Sequence, residues 1–151
     1  MECTVYYILD SATLPYIVSL AEPGAIGPIS GTSEDFLFRN MIGYVSGEVH
    51  GTCGHLFNPS HSPEAREYFE KKYATKLSYL NDHLLKDKPF LMGDAPSAVD
   101  FYLYIVLSWS PYLKVDMSNY GTLNAYSEKI ASHPKVVEAL ARIAESPATT
   151  I

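Results

Sequence analysis

The sequence predicts an all-α protein, a bundle of helices preceded by a short N-terminal segment that is irregular or helical. Several stretches repeat apolar residues every three to four positions, which is the spacing of one buried helix face. Residues 101–107 are apolar or aromatic at every position, as expected of a helix that other helices surround. Residues 21–33 and 58–63 are rich in residues that interrupt helices, so they separate the predicted elements.

The N-terminal part contains two short apolar runs, residues 2–10 and 14–20, and Pro15 interrupts the second. Runs of this length form either a strand or a helix. The following residues, 21–33, are predicted to form a loop because they contain Pro23, Gly24, Gly27, Pro28 and Gly31.

The first long helix is predicted to begin at Ser33, whose hydroxyl is a candidate N-cap. Glu34 and Asp35 would then lie in the first turn, where the positive end of the helix dipole favours acidic side chains. The predicted buried face consists of Phe38, Ile42, Val45, Val49 and Leu56.

An amphipathic helix follows from about Pro63 to Lys86, with an apolar stripe of Phe69, Tyr73, Leu77, Leu80 and Leu84. Residues 98–109 are predicted to be the central helix, which Pro111 should end or kink. Ser97 and Asp100 fit a capping box at its start, so we assign both to folding alone. Two further helices are predicted, one around Leu123, Tyr126 and Ile130 and one opened by Pro134, with Val136, Leu140 and Ile143 on its inner side.

Composition narrows the class of protein. A chain of 151 residues with 47% hydrophobic and 19% charged residues is typical of one globular domain. The net charge of -6 opposes binding to nucleic acid and to anionic membranes. No apolar stretch is long enough to span a bilayer and the N-terminus lacks a secretory signal, so we expect a cytoplasmic protein. Cys3 and Cys53 lie too far apart to indicate a disulfide framework or a zinc cluster.

Several motifs together resemble one family. Residues 90–100, Phe-Leu-Met-Gly-Asp-Ala-Pro-Ser-Ala-Val-Asp, resemble the glutathione transferase signature, in which a Gly precedes Ser/Thr-x-x-Asp. Glu-Val-His at 48–50 and Leu-Phe-Asn-Pro at 56–59 resemble the first helix of the family's all-helical domain, particularly in bacterial beta-class and fungal members. Leu-Ser-Trp at 107–109, Leu-Asn-Ala-Tyr at 123–126 and Ser-His-Pro-Lys-Val at 132–136 continue the pattern in order.

This resemblance covers about residues 29–143 and implies the C-terminal, all-helical half of a cytosolic glutathione transferase. Tyr-Ile-Leu-Asp-Ser at 7–11 resembles the end of the family's thioredoxin-like half. We therefore divide the chain into residues 1–32, a remnant or linker that packs on the bundle, and residues 33–151, the helical domain. The family's thiol-activating residue belongs to the thioredoxin-like half, most of which lies outside this sequence. We accordingly expect no cofactor and little ordinary glutathione conjugation.

Three glycines four residues apart, Gly43, Gly47 and Gly51, mark one stripe of the first long helix. Each costs about 0.5–1 kcal/mol relative to alanine in a helix interior, so a local reason for them is expected. They permit either close packing of another helix or a widened substrate-binding pocket.

His50 beside this stripe is the leading candidate for general acid or base, because imidazole titrates near neutral pH. The resemblance also places the matching histidine of beta-class relatives near the thiol site. Glu48 and Tyr44 complete the predicted catalytic group, and His55 is assigned to substrate binding. The alternative for His50 is a structural histidine bonded to a carbonyl or to Glu48. No metal site is predicted, since His55 points away from the helix face shared by His50 and Cys53.

The resemblance also implies that Trp109, Tyr102 and Tyr112 border the hydrophobic-substrate site, where they would stack on a ligand; the alternative is that they fill the core. Cys53 is predicted to be a core residue, the alternative being a nucleophile activated by His50.

These observations favour a protein that binds a small hydrophobic or aromatic molecule. It would be a divergent, glutathione-independent tailoring enzyme of isomerase, dehydratase or cyclase type. A non-catalytic protein–protein interaction module and a truncated transferase are the alternatives. A homodimer is expected in either of the first two cases, because the surface that the thioredoxin-like half would cover is apolar.

Overall fold

The computed structural model describes residues 13–145, and every regular element within that range is a helix. The predicted all-α fold is therefore confirmed. In chain order the elements are α1 (Thr13–Leu20), α2 (Ser33–Gly43), the π-helical segment π1 (Tyr44–His50), α3 (Gly51–His55), α4 (Pro63–Tyr79), the π-helical segment π2 (Leu80–Leu84), α5 (Ala98–Ser108), α6 (Ser110–Leu113), α7 (Gly121–Ala131) and α8 (Pro134–Glu145).

The first long helix is continuous through α2, π1 and α3. Its N-cap is Thr32 rather than the predicted Ser33, because Thr32 has the extended backbone of a cap and its hydroxyl accepts from the Asp35 N–H at 3.2 Å. In π1 the hydrogen bonds span five residues, as in the bond from the Gly51 N–H to the Ser46 carbonyl. The predicted buried face is confirmed, and Cys53 extends it.

The second long helix, α4, begins at Pro63, and Ser62 caps it by accepting from the Ala65 N–H at 3.3 Å. It continues through π2 and ends two residues before the predicted Lys86. Arg66 joins this helix to its neighbours, since its guanidinium donates to the carbonyls of Leu56 at 3.1 Å and Leu113 at 3.0 Å. The ends of α3, α4 and α6 are thereby fixed to one another.

The central helix of the bundle is α5, as predicted, and it packs against π1, α1, α2, α6 and α7. Asp100 at its start is fully buried. Its carboxylate accepts hydrogen bonds from the Ser97 N–H and hydroxyl at 2.8 and 2.7 Å, from the Leu91 N–H at 2.8 Å, and from the Tyr126 hydroxyl at 3.0 Å. The predicted capping box forms, and it also joins the preceding loop and α7 to α5.

The last helix, α8, departs from the prediction that Val136, Leu140 and Ile143 form its inner side. Val136 is partly buried, but Leu140 and Ile143 are 43% and 69% exposed. Among the described elements α8 packs mainly against α7. The helical period determines which residues share a face, whereas burial requires a second element against that face.

The segment before α2 packs on the bundle over its described part. Leu14 of α1 belongs to the core, and the Ala98 N–H at the start of α5 donates to the Ile26 carbonyl at 2.7 Å. A β-carbon at Gly27 would lie 2.8 Å from Val18 Cγ1, so the loop passes close to α1 and a larger residue there would require Val18 to shift. The predicted division after residue 32 stays a prediction, and the motif at residues 7–11 lies outside the described residues.

Candidate functional site

The candidate site is centred on His50, the last residue of π1, where this segment packs against α5. Its Nδ1 lies 2.6 Å from the hydroxyl of Tyr102, a residue of α5 that is almost fully buried. Partial burial lowers the pKa of His50, because the charged imidazolium loses hydration. Burial thus favours the neutral ring, in which one nitrogen donates and the other accepts.

Aromatic rings surround this histidine. The Trp109 ring lies edge-on to His50 with centroids 5.2 Å apart, and the Tyr102 ring does so at 5.7 Å. Phe57 in turn meets Trp109 at 5.5 Å and remains 36% exposed. Such edge-to-face contacts hold ring planes in fixed relative orientations. We name His50, Tyr102, Trp109 and Phe57 the aromatic cluster.

Phe57 was absent from the predicted site residues. The signal that could have found it is its position in the Leu-Phe-Asn-Pro motif, directly after the first long helix ends. Sequence spacing could not show that the chain turns there so that Phe57 meets Trp109 of another helix.

The three glycines of the stripe, Gly43, Gly47 and Gly51, are exposed. No described residue comes within 4 Å of a β-carbon built at Gly43 or Gly47, and one built at Gly51 meets only the Ser46 carbonyl oxygen at 3.5 Å. Within residues 13–145, then, no helix packs closely on this stripe.

Glu48 and Tyr44 have their contacts on α4, whereas the partners of His50 lie on α5 and beyond it. The Glu48 carboxylate forms an ion pair with Lys76 of α4, whose hydrogen bond and positive charge lower the pKa of Glu48. The Tyr44 ring meets Tyr79 edge-on at 5.8 Å. Burial, with smaller effects of Tyr79 and Glu48, raises the pKa of Tyr44 to about 12. Two members of the predicted catalytic group are thus engaged with a different helix from the third.

His55 and Tyr112 also lie apart from the aromatic cluster. The His55 ring stacks on Phe69 of α4 with centroids 3.9 Å apart, and His61 also contacts Phe69. Tyr112 in α6 is 81% exposed. Of the predicted ligand-facing aromatics, Trp109 and Tyr102 are those that meet His50.

Cys53 is fully buried between Val49 and Leu56 of the same helix face, in agreement with the predicted core role. Among residues 13–145 there is no group of three or more His, Cys, Asp or Glu side chains that could hold a metal ion. In the same range no helix is long and apolar enough to cross a bilayer.

A hollow of about 250 Å³ lies elsewhere, between α1, the following loop and α2. It is lined by Val18, Pro28 and Phe38, with the Asp35–Arg39 ion pair at its edge. It contains none of the predicted site residues.

Three features are those expected of the helical domain of a glutathione transferase: the order of the helices, the buried capping box of α5 and the position of His50. The family model for the glutathione S-transferase C-terminal domain matches residues 49–142, so this chain belongs to the glutathione S-transferase family through that domain.

Known relatives agree with this assignment. Glutathione S-transferase GstA of Escherichia coli O157:H7 is 25% identical over 130 residues, which cover 85% of this chain and 64% of the relative. A sphingomonad glutathione S-transferase solved with glutathione is 29% identical at a TM-score of 0.83, covering 90% of this chain and 67% of that one. The beta-class enzyme of Sphingomonas chungbukensis is 32% identical at a TM-score of 0.81, covering 87% and 65%. The chain thus spans about two thirds of the length of these relatives.

Proposed function

We propose that this chain is a divergent, cytoplasmic glutathione transferase-like protein that binds a small hydrophobic or aromatic molecule beside the aromatic cluster. His50 acts on the bound molecule, in a reaction of isomerase, dehydratase or cyclase type that does not require glutathione. The observation that carries this proposal is the contact between His50 Nδ1 and the Tyr102 hydroxyl within a group of aromatic rings.

The surroundings of His50 support this proposal in two ways. The lowered pKa favours the neutral imidazole, the form that acts as a general base or as an N–H hydrogen-bond donor. Phe57, which is 36% exposed and meets the buried Trp109 edge-on, provides an aromatic surface on which a planar apolar molecule can stack. The exposed stripe at Gly43 and Gly47 adds space on the same long helix.

Thermal-shift measurements with a panel of hydrophobic and aromatic metabolites, and separately with glutathione, test the proposal. A ligand that binds only the folded state raises the melting temperature by mass action. We expect stabilisation by an aromatic metabolite that is lost in Trp109→Ala, and turnover of that metabolite that is lost in His50→Ala. A shift that survives Trp109→Ala, or unchanged turnover in His50→Ala, would place the ligand or the chemistry elsewhere.

A second candidate function, glutathione conjugation, is favoured by the sphingomonad relative solved with bound glutathione. In this reading the chain supplies the helical half of an ordinary transferase and a thioredoxin-like half completes the site. Stabilisation by glutathione, or conjugation of glutathione to 1-chloro-2,4-dinitrobenzene at an ordinary rate once a thioredoxin-like half is fused to the chain, would favour this candidate over the first.

A third candidate, a non-catalytic interaction module, is favoured by α8, in which Val137, Leu140 and Ile143 are exposed within the described part of the chain. An apolar helix face of this kind normally requires a covering partner. We propose that this partner is a second copy of the chain, whether or not the aromatic cluster is catalytic. The mass of the purified chain by light scattering tests this assignment.

A further inference from the structure

The connection between α7 and α8 contains a histidine that lies outside the candidate site. His133 directly precedes Pro134, the first residue of α8. Its carbonyl accepts from the N–H groups of Val136 and Val137 at 2.8 and 3.0 Å. Its Nδ1 accepts from the Lys135 N–H at 3.3 Å. An N-cap residue makes these two kinds of hydrogen bond, so His133 caps α8 through its imidazole ring.

The direction of the hydrogen bond from Lys135 is fixed, because a backbone N–H can only donate. Nδ1 of His133 must therefore carry no proton while it caps the helix. The usual cap residues, Ser, Thr, Asn and Asp, accept through an oxygen that keeps its lone pairs near neutral pH. An imidazole differs from them, because histidine side chains gain a proton within about pH 5–8 and the imidazolium has two N–H donors and no acceptor.

We infer that His133 is a pH-dependent N-cap, whose protonation makes α8 unfold from its N-terminal end. Two effects act in the same direction. The imidazolium cannot accept from the Lys135 N–H, which then loses its partner at the start of the helix. The new positive charge also lies at the positive end of the helix dipole, which repels it. The cap is therefore complete while the ring is neutral and is lost as the pH falls and the ring gains its proton.

The sparse packing of α8 makes this helix sensitive to its cap. None of its 12 residues is fully buried, and among the described elements it packs mainly against α7. Helices of about 12–15 residues are marginal in water unless tertiary packing supports them. The ring of His133, in contrast, is anchored to the central helix, because it meets Phe101 of α5 edge-on with centroids 5.5 Å apart. The cap thus joins a weakly packed helix to the core of the bundle.

The charged and titratable side chains next to His133 come from α5, α7 and α8. They are Asp100 and Tyr104 of α5, Tyr126, Glu128 and Lys129 of α7, and Lys135 and Glu138 of α8. Within residues 13–145 none of these side chains forms an ion pair or a hydrogen bond with the imidazole ring, and those of Lys135 and Glu138 pair with each other at 2.8 Å. In the described part of the chain, no anionic partner offsets the loss of the cap when the ring becomes charged.

Nuclear magnetic resonance tests the cap in the wild-type protein. At about pH 8 the ¹⁵N spectrum of the histidine side chains should show His133 unprotonated at Nδ1 and protonated at Nε2. The ¹³Cα shifts of residues 135–141 report the helix population of α8. Between about pH 8 and pH 5.5 we expect the ratio of unfolded to helical α8 to rise about fivefold, the factor that corresponds to one typical N-cap.

Three variants separate the cap from other effects of pH. His133→Asn keeps a side-chain acceptor that does not titrate, so α8 should remain helical at both pH values. His133→Ala removes the acceptor, so the helix population of α8 should be low at both. His83→Asn removes an exposed histidine of π2 and should keep the wild-type response of α8. Far-ultraviolet circular dichroism melts establish that each variant folds.

A neutral His133 that is protonated at Nδ1 would overturn the cap. Two results would overturn the pH dependence: a wild-type α8 that is equally helical at both pH values, or a His133→Asn variant that loses helix in acid as wild type does. If the Asn variant does not fold, the tautomer and the pH response of wild type decide the inference.

The cap also affects the homodimer proposed above, because α8 carries the exposed apolar side chains Val137, Leu140 and Ile143. This consequence rests on the proposed function, whereas the cap does not. By light scattering we expect the wild-type dimer to dissociate at pH 5.5 and the His133→Asn dimer to persist. A wild-type monomer at pH 8 would contradict the dimer and leave the cap intact. A wild-type dimer that is unchanged at pH 5.5 would overturn the link between them.

Discussion

At the scale of single residues, Asp100 has the largest structural role among the polar side chains of the central helix. It is fully buried, and its carboxylate is surrounded by donors from the preceding loop, from its own helix and from Tyr126 of α7. Burial, together with the negative charge of Asp100, raises the pKa of Tyr126 well above its ordinary value, so the tyrosine remains a donor. A charged group at this position is tolerated because its oxygens are satisfied.

We predict that Asp100→Ala lowers the free energy of unfolding by about 3 kcal/mol or more, because it leaves several buried donors without an acceptor. Urea unfolding followed by circular dichroism measures the change. Asp94→Ala removes an exposed aspartate of the same loop and should change stability by less than about 0.5 kcal/mol. Similar effects of the two substitutions would contradict the role given to Asp100.

The partial burial of His50 predicts how the stability of the protein depends on pH. Its pKa is lower in the folded protein than in the unfolded chain. At pH values near and between these two pKa values, the unfolded chain therefore binds more protons than the folded protein. The contribution of His50 to stability is therefore retained above the unfolded pKa of about 6.5 and declines as the pH falls toward the lower folded pKa.

The measurement compares wild type with His50→Gln, which cannot titrate, by urea unfolding between about pH 8 and pH 5. We expect wild type to lose stability relative to the variant as the pH falls. Carboxylates titrate identically in both proteins and cancel from the difference. A difference that moves the other way would show that folding gives the imidazolium a favourable partner.

At the scale of helices, the hydrogen bonding of the first long helix changes from α-helical to π-helical between Tyr44 and His50. An α-helix turns by about 100° per residue, so the wider turns of a π-helical segment change the direction of every side chain that follows. Glu48 and His50 are two residues apart, a spacing that already puts them about 200° apart on an α-helix, so His50 contacts α5 while Glu48 pairs with Lys76 of α4. The sequence could show this separation but not the π-helical hydrogen bonding, since residues 44–50 contain no proline and the apolar spacing is unbroken.

Two glycine-to-alanine substitutions compare a position with open surroundings and a position that is closely packed. Gly47→Ala should raise the free energy of unfolding by about 0.5–1 kcal/mol, because alanine is the better helix former and its β-carbon meets no described residue within 4 Å. Gly27→Ala should lower stability, because its β-carbon would lie 2.8 Å from Val18 Cγ1 and 3.3 Å from Phe38 Cζ. Both changes are measured by urea unfolding. A loss of stability in Gly47→Ala would indicate a group outside residues 13–145 against the stripe.

At the scale of the whole molecule, the bundle buries its central helix but leaves a row of apolar side chains on α8 exposed within the described residues. The chain also spans only about 64% of the length of the relative GstA. The proposed homodimer would cover this face of α8.

We predict that Leu140→Glu converts the dimer to a monomer in light-scattering measurements at micromolar concentration, because it places a charge in the apolar contact. Arg142→Gln makes the same change in net charge about 200° further around the helix and should leave the mass unchanged. Circular dichroism should show the same helical content in both variants. A wild-type mass equal to one chain would refute the dimer, and a dimer that persists in Leu140→Glu would place the interface elsewhere.

The sequence by itself determined the helical class, the order of the five helices predicted from Ser33 onward and the apolar faces of the first four of them. It did so because apolar periodicity, proline positions and the Ser97–Asp100 capping box are local signals. It also identified the family from short motifs, and it placed His50, Tyr102 and Trp109 among the candidate site residues.

Only the tertiary structure decided which of those candidates meet. It brought His50 to Tyr102 and Trp109, added Phe57, engaged Glu48 and Tyr44 with α4, and left Tyr112 exposed. It also showed that Leu140 and Ile143 of α8 are exposed despite their helical spacing. The physical reason is the same in each case: period and propensity act over a few residues, whereas contact and burial depend on segments far apart in the chain that pack together.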